Sequence, residues 1–130
     1  MEDRKTNARI LDHVRAADGI SLQVPDLRTA GLTFKRVQAL DFQGHTLVQI
    51  AYLPERGTPV ALCAYHEAGP DTSPHMQDVD GMHAAIWRRN NVGYALVAKG
   101  SDVDIGELGA RIANGDTPAL YGAVNFVPVA

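Results

Sequence analysis

Met82-His83-Ala84-Ala85-Ile86-Trp87-Arg88-Arg89-Asn90-Asn91-Val92-Gly93-Tyr94-Ala95-Leu96-Val97-Ala98-Lys99 contains the hairpin on which the fold turns. Two apolar runs of strand length flank Asn90-Asn91. Asparagine tolerates the positive φ that a tight hairpin needs, so strands are expected over 82–89 and 92–99. Folding back on that turn sets Trp87 and Tyr94 close to cross-strand register, where aromatic rings pack well.

Working back along the chain, more strands are expected. Residues 46–53 alternate strictly, with Val48, Ile50 and Tyr52 on one face and Leu47, Gln49 and Ala51 on the other. Before them, Leu32 to Phe42 alternates more weakly and ends at Gln43-Gly44, a hairpin turn. Beyond Pro54-Glu55-Arg56-Gly57, residues 58–66 form the next strand. The stretch 68–79 holds Gly69, Pro70, Asp71, Ser73 and Pro74 and is expected as a surface loop. Near the start, Ile10, Leu11 and Val14 lie at helical spacing ahead of Gly19, predicting a helix over 7–17 behind a frayed 1–6. Ile20, Leu22 and Val24 make a short extended segment ended by Pro25, and Asp26 stands ready to cap one helical turn over 27–30.

On the far side of the hairpin, Ser101 and Asp104 stand at capping-box spacing. Ile105, Leu108 and Ile112 form one apolar stripe and Gly115 a stop, so a helix is expected near 102–114. The apolar tail 116–130 is expected to be extended. The whole, 1–130, reads as a single α+β domain. It consists of an antiparallel sheet of about five hairpin-connected strands, with the N-terminal helix and the helix near 102–114 packed on it.

The 130 residues suit one domain, and a hydrophobic fraction of 45% against 21% charged is that of a globular chain. Twelve Lys plus Arg against fifteen Asp plus Glu leave a net charge of -3, with the signs interspersed, which argues against nucleic acid as a partner. No apolar run approaches the ~20 residues of a membrane span, and Met1-Glu2-Asp3-Arg4-Lys5 leads into no signal-like stretch. One cysteine, Cys63, excludes an internal disulfide and a cysteine-rich zinc cluster.

The candidate chemistry resolves into packing. Cys63 and His66 lie three positions apart on one expected strand, so their side chains point to opposite faces and make no nucleophile–base pair. Cys63, between Leu62 and Ala64, reads as a small buried hydrophobe. His66, His75 and His83 would have to converge to bind a metal, but no His-x-x-x-His spacing supports them. His13 and His45 read as surface residues. Asp78-Val79-Asp80-Gly81 begins a calcium-loop pattern without completing it. Asp102 and Asp104 are explained by the positive end of a helix. No phosphate loop occurs. No catalytic, cofactor or metal site is assigned, and no enzymatic activity is expected.

The run Val24-Pro25-Asp26-Leu27-Arg28-Thr29-Ala30-Gly31-Leu32 resembles a Pro-Asp-Leu-x-x-Ala-Gly stretch in membrane-anchored anti-sigma factors. In that family it opens the C-terminal, extracytoplasmic domain. Ile50-Ala51-Tyr52 followed by Pro59-Val60-Ala61-Leu62 looks like the family's paired strands. Ile86-Trp87-Arg88 and Tyr94-Ala95-Leu96-Val97 look like its signature hairpin, and a helix with Ile105, Glu107 and Leu108 follows. The likeness covers about 10–115. Lys35-Arg36-Val37 departs from it where members carry a double glycine, and the family's cytoplasmic helices and membrane helix have no counterpart here.

That resemblance implies a periplasmic, non-enzymatic sensor domain that regulates transcription. Its sigma factor would be held by a cytoplasmic part, and its membrane attachment would come from an anchor helix. A protein partner is expected, including a second copy of the chain through a sheet edge or the apolar tail. The alternative is a small-molecule or metal-binding module built on His66, His75 and His83.

Overall fold

The computed structural model describes residues 9–10, 22–42, 44–100 and 103–122. Eight strands fill most of these: β1 (Gln23–Pro25), β2 (Leu32–Phe42), β3 (His45–Pro54), β4 (Val60–His66), β5 (Thr72–Val79), β6 (Met82–Arg89), β7 (Val92–Ala98) and β8 (Ala119–Gly122). One α-helix, α1 (Ile105–Ala113), lies between β7 and β8. A 3-10 turn, Arg28–Ala30, joins β1 to β2, and the Asp26 carboxylate accepts from the Arg28 amide at 3.1 Å just before it.

The fold is therefore mainly β, not the expected α+β with two helices on about five strands. Six strands form one antiparallel sheet in the order β2-β3-β4-β7-β6-β5, and β1 pairs with β8 in a second. The helix expected over 7–17 lies outside the described residues, apart from Arg9 and Ile10, which are helical. The frayed 1–6 and the tail beyond Gly122 are outside them as well.

The large sheet is two three-stranded meanders, β2-β3-β4 and β5-β6-β7, joined edge to edge along β4 and β7. Their order is two-fold symmetric about that junction. β4 pairs with β7 without a break, Val60 opposite Ala98 through His66 opposite Val92. The chain crosses from β4 to the far edge through residues 67–71, which the β6–β7 turn holds down. Asn91 Oδ1 accepts from Gly69 N at 3.1 Å, Asp71 Oδ1 from Asn90 N at 3.0 Å, and the Asn91 carbonyl from Glu67 N at 2.8 Å.

β5 falls where a loop was expected. All its side chains but Pro74 are exposed, so no buried alternation marks it, and Pro74 suits a strand at the rim of a sheet. Asp80 and Gly81, with φ of 51° and 80°, make the tight turn from β5 into β6. Asn90 and Asn91, with φ of 52° and 63°, make the matching turn from β6 into β7, as expected.

Register sorts the side chains onto two faces. The inner face carries Val48, Ile50 and Tyr52 of β3, Val60, Leu62 and Ala64 of β4, Leu96 of β7, and Ala85 and Trp87 of β6, all buried. Helix α1 lies on this face, presenting Ile105 and Leu108. It comes close because Gly109 has no side chain. A Cβ built there would stand 2.8 Å from that of Ala85. The β1–β8 pair closes the other end, where the buried Tyr52 hydroxyl donates to the Pro25 carbonyl at 2.7 Å.

The helix starts later than expected. Its N-cap is Asp104, whose carboxylate accepts from Glu107 N at 3.0 Å. Ser101 and Asp102 lie outside the described residues. At the other end Gly115 N donates to the Ile112 carbonyl and Asp116 N to that of Arg111, and Gly115 takes the left-handed conformation with φ 74°. That is the glycine stop expected at this position.

Candidate functional site

The described residues form no group of three or more His, Cys, Asp or Glu side chains that could hold a metal ion. The three candidate histidines are scattered. His66 ends β4 opposite Val92, and His83, the second residue of β6, stands opposite Ala98. Those partners lie six positions apart on β7, about 20 Å of strand. His75 pairs with Ile86 on the outer face, whereas His83 is on the inner side, its Nδ1 2.9 Å from Asp78 Oδ1. His45 is exposed at the start of β3, and His13 lies outside the described residues. Asp80, read as part of a calcium-like start, belongs to a hairpin turn, and Asp78 faces His83.

Cys63 and His66 do project to opposite faces, because β4 runs through without a bulge. Cys63 is not in the core, however. It lies half-buried on the outer face opposite Gln49 and Ala95. Burial pushes its thiol pKa up, with a hydrogen bond to Gln49 opposing the shift. A thiol held protonated in this way is a poor nucleophile.

A cleft of about 220 Å³ opens on the inner side between α1, β1 and β6, lined by Leu22, Trp87, Arg89, Tyr94 and Ile112 among others. Trp87 and Tyr94 stand directly opposite each other and stack, but Trp87 keeps only 2% of its surface exposed. An indole so enclosed has no free face for a ligand. The pair serves the core.

The outer face is where the sheet differs from an ordinary two-layer fold. Helix α1 and the β1–β8 pair both lie on the inner side, so no described element packs on the outer side, whose central residues are mostly half-buried, from Ala84 at 3% exposed to Leu53 at 37%. Its four central strands present Leu47, Gln49, Ala51 and Leu53 from β3 and Ala61, Cys63 and Tyr65 from β4. β7 adds Gly93, Ala95 and Val97, and β6 adds Met82, Ala84, Ile86 and Arg88. One charged side chain stands among these, Arg88, and Glu67 neutralises it with Nε to Oε1 at 3.0 Å. The Tyr65 ring lies over Gly93, where a Cβ would meet Tyr65 Cζ at 2.8 Å. The edges carry polar side chains, Thr33, Arg36 and Gln38 on β2 and Thr72, His75 and Gln77 on β5, beside the exposed Leu40 and Val79.

The alternation of β3 separates its two faces in the sequence but gives the second no role. The signal was present: Ala61, Cys63, Gly93, Ala95, Val97, Ala84 and Ile86 are small or apolar at positions that alternate with the core. A strand buried on one side alone would show polar residues there.

No helix of the described residues is long and apolar enough to cross a membrane. No family model matches the chain, and neither a curated protein nor a solved structure matches it.

Proposed function

We propose that this chain is a non-enzymatic regulatory domain that works by holding another protein, similar to the extracytoplasmic part of a membrane-anchored anti-sigma factor. The observation that carries the reading is the outer face of the six-stranded sheet, which the described residues leave uncovered and which is apolar across its four middle strands apart from Arg88, neutralised by Glu67. Such a surface binds protein and offers no group for turnover. The ordered motifs add to it, and two of them, Ile86-Trp87-Arg88 and Tyr94-Ala95-Leu96-Val97, form one side-by-side hairpin. On this reading the domain acts in the periplasm, and a membrane helix and cytoplasmic part joined to it hold the sigma factor. Nothing in the placement of His66, His75 and His83 favours the metal-binding alternative.

Deleting the coding sequence in its native cell tests the proposal. Transcription from promoters of an extracytoplasmic-function sigma factor should rise several-fold. Unchanged transcription from every such promoter would contradict it.

A further inference from the structure

We propose that the outer face of the six-stranded sheet is the interface of a homodimer, two copies stacking sheet on sheet about a two-fold axis. The inference goes beyond the regulatory reading and stands or falls separately from it. It commits to the face of the sheet, not to its edges.

Size is the first argument. Six strands about 4.8 Å apart and about seven residues long cover roughly 600 Å² in projection. A stable dimer buries about 800 Å² of accessible surface per partner, and a corrugated face has more accessible area than its projection. The face is thus large enough with no other element contributing.

Arrangement is the second. An apolar middle with mostly polar side chains at both rims is the layout of a protein interface, and Leu40 and Val79 extend the apolar surface to the edges. The middle is also low. Ala61, Cys63, Ala95 and Gly93 raise no long side chain, and the Tyr65 ring lies down over Gly93. A second twisted sheet can therefore approach to the usual ~10 Å.

Charge selects a second copy as the occupant. Across a two-fold each patch meets itself, so a lone charge would face its own like. Here Arg88 carries its counter-charge with it in Glu67, and the rest of the middle is neutral. A chain of net charge -3 offers its own copy a middle free of repulsion on this face, with the cation Arg36 standing at the β2 rim. A strongly charged partner would find nothing in that middle to pair with.

Cys63 reports on the contact. It sits halfway along β4, one of the two middle strands. With the axis passing over the centre of the sheet, in either direction in the plane, the two Cys63 backbones come about 10–12 Å apart, enclosed between the sheets.

The test combines sedimentation equilibrium on the 130-residue chain, from about 1 to about 200 µM, with the rate of Cys63 labelling by a maleimide over the same range. A monomer–dimer equilibrium is expected, with labelling slowed in step with the dimer fraction. Ala95→Arg should weaken the dimer at least about 100-fold, since it buries two facing charges, while circular dichroism stays unchanged. Gln49→Arg, opposite Cys63, should do the same and serves if Ala95→Arg does not fold. A chain that stays monomeric throughout overturns the proposal and gives the face to a different protein. A dimer whose Cys63 labels at the monomer rate, indifferent to both substitutions, overturns it in favour of an edge.

Discussion

The Trp87 indole and the Tyr94 phenol ring lie 5.3 Å apart with 10° between their planes, stacked across the β6–β7 hairpin. The Asn90–Asn91 turn sets them opposite each other, and α1 covers the indole, whose Cζ3 is 3.5 Å from where a Gly109 Cβ would stand. Local turn chemistry, a cross-strand pair and the seat of the helix thus meet at one point of the core.

Truncating that point should be severe. Trp87→Ala removes a buried aromatic side chain, and losses of this kind cost about 3–5 kcal/mol. A typical domain holds ~5–15 kcal/mol in all, so the urea midpoint should drop by a large fraction of its value. An unchanged midpoint would mean the indole is not packed.

Gly109→Ala separates packing from helix propensity. Alanine in a helix is favoured over glycine by about 1 kcal/mol, so propensity alone predicts a gain. The new Cβ would stand 2.8 Å from Ala85 Cβ, which sits on a strand and cannot yield, so α1 must lift off the sheet. Overpacking typically costs about 1–3 kcal/mol, and net destabilisation is expected in urea unfolding. A stabilised variant would show that the helix has room.

Much of this was legible beforehand because it is local. The Asn90-Asn91 turn, the alternation of Val48, Ile50 and Tyr52, and the glycine stop at Gly115 each declare themselves within a few residues. β5 did not, since an edge strand with exposed side chains and Pro74 carries no periodic signal. Nor did the pairing of β4 with β7, which joins segments some thirty residues apart through backbone bonds that leave no mark on sequence. The helix start was ambiguous because Ser101/Asp104 and Asp104/Glu107 have the same spacing, and the second pair holds the cap. The outer face needed strand order before its scattered small residues became one surface.

Asp104→Ala tests that cap. Losing the bond to the Glu107 amide should cost about 0.5–2 kcal/mol, typical of an N-cap, without altering the sheet. The loss should appear in the urea midpoint. A loss no larger than the scatter between repeats would place the functional start of the helix elsewhere.

Alkaline pH should destabilise the fold in stages. Burial raises the pKa of Cys63, Tyr94 and Tyr65, with Arg89 opposing the shift at Tyr94 and Glu67 adding to it at Tyr65. The folded chain therefore holds these protons more tightly than the unfolded one. The contribution is complete below the ordinary values, 9.0 for the thiol and 10.0 for the phenols, and is lost as pH rises through the folded values. Urea midpoints should be flat near neutrality with respect to these groups and fall above about pH 9. Cys63→Ala should delay the onset. An onset that does not move would show that the thiol is not the first group to act.

Everything functional rests on the sheet having one packed face and one that the described residues leave uncovered. Two alanines of β4 three residues apart decide it: Ala64, inner and 1% exposed, and Ala61, outer and opposite Ala51 and Val97. The measurement is the urea midpoint of Ala64→Arg and of Ala61→Arg in dilute solution, each against the parent chain. Ala64→Arg should lose at least ~3 kcal/mol or fail to fold, because it buries an unpaired charge. Ala61→Arg should stay within about 1 kcal/mol, as a surface change does. Equal losses would mean that the chain itself covers both faces, leaving no open surface for a partner.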